Sequence, residues 1–193
     1  MVTSLDVRFP VEWAVLPCTG DSRQEILAGF HAAIGDLGNE AQAAADQYFQ
    51  TLTDRLGGVG VSGIASLMIV DEEKGDSVRA VCAVGTVDVS DLDELSSGDL
   101  LVTVAESGPH PGLDRHTERT MIAGHDAVRS TATRWAGELA DTAGWAPYVA
   151  EFRYVFPTGT GQLGILHFQT DTVVYLDDLA SVFDAIADTV QLS

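Results

Sequence analysis

The chain is 193 residues long, with 46% hydrophobic and 20% charged residues; that composition suits one packed domain and argues against general disorder. Its 29 acidic residues against 10 basic ones give a formal charge of −19 and a pI near 4.2. Nucleic acid is disfavoured, because binding it relies on neutralising phosphates with Lys and Arg, and anionic membrane surfaces are disfavoured likewise.

What remains for the charge is a basic protein partner or plain solubility. Cys18 and Cys82 form neither a CxxC pair nor a disulfide framework, so a reducing compartment is expected. Met1 to Pro10 holds no basic segment followed by an apolar run, and no apolar stretch approaches the ~20 residues of a membrane helix. The expectation is a cytoplasmic protein with no membrane insertion.

In chain order, Val7 to Leu16 reads as an extended opening segment, interrupted by Pro10 and closed by Pro17. Prolines place such a strand at a sheet margin. Trp13 is its core anchor. Ser22-Arg23-Gln24-Glu25 is a capping box. Behind it Ile26, Leu27, Phe30, Ala33, Ile34 and Leu37 form a helical stripe, and Gly38 stops it. Asn39 caps a second helix with Ala41, Ala45, Tyr48, Phe49, Leu52 and Leu56 on one face, ended by Gly57-Gly58. These two helices are expected to form a hairpin across one sheet face.

Gly58-Val59-Gly60-Val61-Ser62-Gly63 matches GxGxxG, but in reversed context: dinucleotide binding needs strand, glycine loop, then helix. It reads as a flexible helix-to-strand connector. Ile64 to Val70 is a nearly continuous apolar strand, and Val78 to Val87 returns as its partner after a polar turn. Asp88 to Gly98 is acidic, with Leu92 and Leu95 suited to one helical turn, and Leu100 to Ala105 reads as a short strand. Thr117 to Ala123 and Ala127 to Trp135 form a second hairpin about Gly124-His125-Asp126.

The last quarter carries the clearest pattern. Phe152, Tyr154 and Phe156 share one face of a strand while Glu151 and Arg153 take the other, the period of two of a half-buried strand. Pro157 to Gly161 breaks it, and Gln162 to Thr170 resumes, with Leu166 and Phe168 on one face and Leu163 and Ile165 on the other. After a polar break, Asp177-Asp178 can cap a helix in which Leu179, Val182, Phe183, Ile186 and Val190 form one apolar stripe.

Phe9-Pro10-Val11-Glu12-Trp13, the strand GQLGILHFQT (Gly161 to Thr170) and the terminal LASVFDAIADTV (Leu179 to Val190) resemble the two ends of PsbP-like proteins. That superfamily takes in photosystem II extrinsic proteins, a Ran-binding nuclear-import factor and bacterial domains that chaperone secreted effectors. The resemblance implies a single domain over residues 1–193 that serves protein interaction. It implies no catalytic set, because no catalytic motif defines the family.

Among groups that could do chemistry, His110, Asp114, His116, Glu118, His125 and Asp126 are the best constellation, since imidazole and carboxylate ligands can hold zinc. No HExxH or CxxC fixes a geometry, so a solvated loop and hairpin is the favoured account. His167 reads as a partly buried structural histidine, and His31 as a helix-edge residue. No GxSxG elbow or phosphate-cradling GxxxxGK[ST] is present. No catalytic, cofactor-binding or metal-binding residue is therefore assigned, and no cofactor.

The sequence reading is an α+β fold: an antiparallel β-sheet of about six to eight strands, covered by an N-terminal helical hairpin and a C-terminal helix. The function expected is a non-enzymatic protein-binding adaptor or chaperone, accessory to a bacterial secretion system, with a basic protein partner, no nucleic acid and a homodimer as the ordinary alternative state. Competing readings are an immunity-type protein neutralising a basic toxin, and a small-molecule or metal-binding enzyme using the His110–Asp126 region.

Overall fold

The computed structural model describes residues 5–17, 59–71, 76–90, 97–107, 113–135, 148–159 and 161–192. The strands are β1 (Leu5–Asp6), β2 (Trp13–Pro17), β3 (Val59–Asp71), β4 (Asp76–Asp88), β5 (Leu113–Ile122), β6 (His125–Trp135), β7 (Tyr148–Pro157), β8 (Gln162–Thr170) and β9 (Gln191–Leu192). Helix α1 spans Ser97–Glu106. A 3₁₀ turn at Val173–Tyr175 leads into α2, Leu176–Ala187.

Seven strands form one antiparallel sheet in the order β2-β3-β4-β8-β7-β6-β5, and β1 pairs with β9 in a separate ladder. β8 is the middle strand, and it is buried along nearly its whole length on both faces. Its first face carries Leu166 and Phe168, continued by Phe152, Tyr154 and Phe156 of β7, Cys82 and Val84 of β4 and Trp13 of β2. α2 lies on this face through Leu179, Phe183 and Ile186. Phe183 stacks on Phe168 with ring centroids 4.4 Å apart, and meets Phe152 and Trp13 edge-on at 5.2 and 6.3 Å. Phe156 lies across Gly164, its cross-strand partner; a Cβ added at that glycine would overlap the ring.

The second face carries Leu163, Ile165, Val155 and Val128, and α1 covers them with Leu101, Val104 and Ala105. Here the fold expectation is corrected. The described chain is mostly sheet, with one central helix and one C-terminal helix, and no N-terminal helical hairpin among the described residues. The helices read over Ser22–Leu37 and Asn39–Leu56 lie outside those residues. The helix that does cover the second face comes from Leu100–Ala105, which the sequence suggested was a strand. A short apolar run has no period that separates the two, and burial of one side against β6 and β7 decides it.

Three local readings also change. β7 is not half-buried, because Glu151 and Arg153 face α1's side of the sheet instead of solvent. The glycine run is not a connector: residues 59–63 are already strand, with a β-bulge between Val61 and Gly63. Asp177 and Asp178 do not cap α2. Its N-cap is Tyr175, without a side-chain bond, and the two carboxylates sit in the first turn, where they oppose the positive end of the helix dipole.

The opening segment and the second hairpin are kept with shifted bounds: only Trp13–Pro17 of the extended segment is strand, and the hairpin turn lies at Ala123-Gly124, with His125 and Asp126 already in β6. Trp13 is buried, and Pro10 sits in a turn closed by Trp13 N–H to Pro10 O at 3.0 Å, leaving β2 at the sheet margin. The β5–β6 hairpin turns on Ala123 and Gly124, both at positive φ, as a two-residue type I′ turn requires.

Gly164→Val should lower stability by about 1–3 kcal/mol through overpacking against Phe156, seen as a lower urea midpoint with an unchanged slope.

Candidate functional site

Among the described members of the histidine-carboxylate constellation, His116 Nε2 approaches Glu118 Oε2 at 3.8 Å, and His125 stands apart from them. His110 lies outside the described residues. His116 pairs across the ladder with Thr131, and His125 with Ile122. Those positions are six residues apart along β5, roughly 20 Å at strand rise. His116, Glu118, His125 and Asp126 are all exposed, and Glu118 is paired with Arg129 at 3.2 Å. Among the described residues no group of three His, Cys, Asp or Glu side chains is placed to hold a metal ion. Cys18 and His31 lie outside the described residues. Cys82 is fully buried in the core, and burial pushes its thiol well above the usual range, so it is no nucleophile.

His167 is indeed buried, and it stands in a polar chain on the α1 face. Arg134 bonds Glu151; Gln169 Nε2 lies 3.0 Å from Glu151 Oε1 and 2.9 Å from His167 Nε2. Arg153 Nε donates to His167 Nδ1 at 3.1 Å, and its Nη1 reaches the carbonyls of Val104 and Ser107. Arg115 Nη1 donates to Ala105 O at 3.3 Å and lies 3.2 Å from Ser130 Oγ. Two guanidinium groups thus meet the carbonyls at the C-terminal end of α1, where the helix dipole is negative. Burial alone would raise the Glu151 carboxyl. The electrostatic influence of His167, Arg134 and Arg153 and the bond from Arg134 outweigh it and hold the group below the usual carboxylate range. This chain is a latch that ties α1 to β6, β7 and β8.

Two clefts flank α2 on the other face. The more polar one, about 230 Å³, is lined by Asp114, Arg129, Thr131, Thr133, Phe152, Leu176, Asp177 and Ala180, among others. Its arginine is committed: Arg129 pairs with Glu118 and, at 3.4 Å, with Asp184, and lies over the Phe152 ring at 5.6 Å. Asp184 also accepts from Tyr154 Oη at 2.7 Å; burial and this bond raise the Tyr154 phenol far above its ordinary value.

The other cleft is an open groove of about 370 Å³ between the β3–β4 hairpin and α2. Leu67, Ile69, Val78, Tyr175, Leu179 and Val182 line it, and Asp178 is its one charged lining residue among the described residues. Ile69 is 48% exposed and Val174, next to the groove, 85%. The 3₁₀ turn that carries Tyr175 is fixed to β4 by Arg79, which pairs with Asp171, and by Arg79 N–H to Thr172 Oγ1 at 3.0 Å. The same turn touches β7. β7 begins at Tyr148, which packs edge-on against Trp135 at 5.3 Å, both rings exposed. Ile69 and Tyr175 are thus exposed at the groove, Val173 and Val174 are exposed in the turn beside it, and Tyr148 and Trp135 form a second exposed apolar pair. The sequence reading missed this surface by treating the stretch before Asp177 as a polar break. Val173-Val174-Tyr175 was the available signal.

No protein-family model matches the chain, and no curated protein sequence matches it. Among solved structures it is similar to the crystal structure of LpqN, described as involved in cell envelope biogenesis of Mycobacterium tuberculosis. The two share 14% identity over 100% of this chain and 84% of that one, with a TM-score of 0.44. A likeness that low carries no functional argument. Among the described residues no helix is long and apolar enough to cross a membrane.

Glu151→Gln should cost about 3–5 kcal/mol at neutral pH by leaving Arg134 buried beside a neutral amide. A carboxyl held low in the fold stabilises above its unfolded pKa and loses that contribution as pH falls through the folded one. Wild type and variant should therefore converge in urea titrations carried from neutral pH to below 4.5, the ordinary glutamate value.

Proposed function

We propose that this protein is a non-enzymatic protein-binding adaptor or chaperone, and that it holds its client at the groove between β3, β4 and α2. The observation that carries this reading is the exposed apolar surface at the groove of a strongly acidic chain. Soluble monomers rarely expose a contiguous apolar patch without a use for it, and Tyr, Trp and aliphatic side chains are what interface centres are made of. The groove is framed by the paired strands β3 and β4 and by a helix anchored by aromatic packing. The patterned resemblance of both chain ends to PsbP-like interaction domains points the same way.

The charge favours a client segment bearing Lys or Arg. Asp178 lines the groove and is exposed, and the net charge of −19 steers cations towards the whole molecule. Chemistry at the His110–Asp126 region is the weaker reading, because His116 and His125 lie far apart.

A peptide-display selection on the purified protein should enrich sequences that combine large apolar residues with Lys or Arg. Ile69→Ser/Tyr175→Ser should weaken the selected peptides at least about tenfold, or ~1.4 kcal/mol, and leave Tm within a few degrees, since both side chains are well exposed. A selection that returns nothing above background, or peptides indifferent to the double variant, sinks the reading.

A further inference from the structure

The two margins of the large sheet are protected very differently. On one margin, β5 exposes Asp114, His116, Glu118 and Arg119 and breaks register between Leu113 and His116. Charges and a bulge are the usual devices that stop a sheet edge from recruiting another strand. On the other margin, β2 covers β3 only from Gly63 to Leu67. The β3–β4 ladder runs on to Val70 opposite Ser77 and Asp71 opposite Asp76. β2 cannot follow it, because the Pro10–Trp13 turn takes the chain off that line.

Among the described residues no strand pairs with the outer side of Met68 to Asp71. That stretch continues an apolar run, Leu67-Met68-Ile69-Val70, with neither proline nor charge before Asp71. In an antiparallel ladder every second residue turns its N–H and C=O to the outer side. Without a partner strand among the described residues, that length offers donors and acceptors directly beside the groove that Leu67 and Ile69 line.

We infer that the client binds by strand addition. An extended segment of another protein pairs with the outer edge of β3 at residues 68–71, and its alternate side chains enter the groove against Ile69, Leu179, Val182 and Tyr175. This rests on the protein-binding reading above and specifies its mode. Main-chain hydrogen bonds hold such a segment, and pockets for every second side chain select it. The occupant alternates large apolar residues with Lys or Arg. Its apolar side chains match the lining, and its cations meet Asp178. A second copy of this chain is disfavoured on the same ground: edge-to-edge pairing would bring two chains of charge −19 and two copies of Asp178 together.

The probe is a short synthetic peptide alternating valine with lysine, compared with one alternating valine with glutamate. Hydrogen exchange followed residue by residue should show slowing at alternate amides within residues 68–71 when the valine–lysine peptide is bound. N-methylation at successive peptide positions should weaken binding with a period of two, by tenfold or more at the paired positions. Asp178→Lys should weaken the valine–lysine peptide at least tenfold at low salt and improve the valine–glutamate peptide.

Peptides that bind and respond to Ile69→Ser/Tyr175→Ser, yet leave exchange at 68–71 unchanged, overturn strand addition while the adaptor reading stands. A chain that sediments as a dimer and becomes monomeric on Ile69→Lys overturns it too, by naming a second copy as the occupant. Equal binding of the two peptides overturns the cationic specificity. If neither these peptides nor any displayed sequence binds, the adaptor reading itself falls.

Discussion

The stacking of Phe183 on Phe168 is the contact on which the arrangement depends. Phe168 lies on the middle strand of the sheet and Phe183 in the middle of α2, and Phe152 and Trp13 close around them edge-on. Rings packed this way are worth more than their buried area alone, and they fix orientation as well as distance. Trp13 extends the cluster to the marginal strand β2, so one aromatic group joins the centre of the sheet, its edge and the covering helix. With α2 held there, a cleft remains on each side of it, and the one towards β3 and β4 is apolar.

The opposite face is held by different means. Apolar contacts of Leu101, Val104 and Ala105 seat α1, and a chain of charged and amide groups fixes its end. Buried charges are costly unless each finds partners, and here Glu151, Arg134, Arg153, His167 and Gln169 supply one another. The contribution is orientation: the carbonyls of Val104, Ala105 and Ser107 are directed at two guanidinium groups, which sets α1 across the strands in one position. Both faces of β7 and β8 are thereby covered by helices, and the ends and margins of the sheet are left as the places where another molecule can be met.

Those margins are where the surface properties diverge. β5 is charged and broken in register, whereas the β3–β4 hairpin projects past β2 with an apolar groove at its side. The mismatch in strand length follows from a single turn at Pro10, and among the described residues it leaves the outer edge of β3 beyond Leu67 without a partner strand, next to the exposed apolar side chains. Acidic character adds selection in the proposed binding mode: Asp178 is the charged lining residue among the described ones, and it favours a segment with cations over an anionic one.

Sequence alone determined what has a local period. The alternation of Phe152, Tyr154 and Phe156, the opposed pairs Leu166/Phe168 and Leu163/Ile165, the stripe Leu179-Phe183-Ile186 and the hairpin between Met121 and Ala127 were all legible. Each is enforced by which side of its own element meets a core. Tertiary structure alone decided what covers each face and what lies beside what. It made a helix of Leu100–Ala105, buried the Glu151–Arg153 side of β7 beneath a polar latch, separated His116 from His125, and left Ile69 and Tyr175 facing a groove. The physical reason is that these outcomes are set by strand order and strand length across the whole sheet. Residues far apart in the chain fix both, and no short window of sequence contains them.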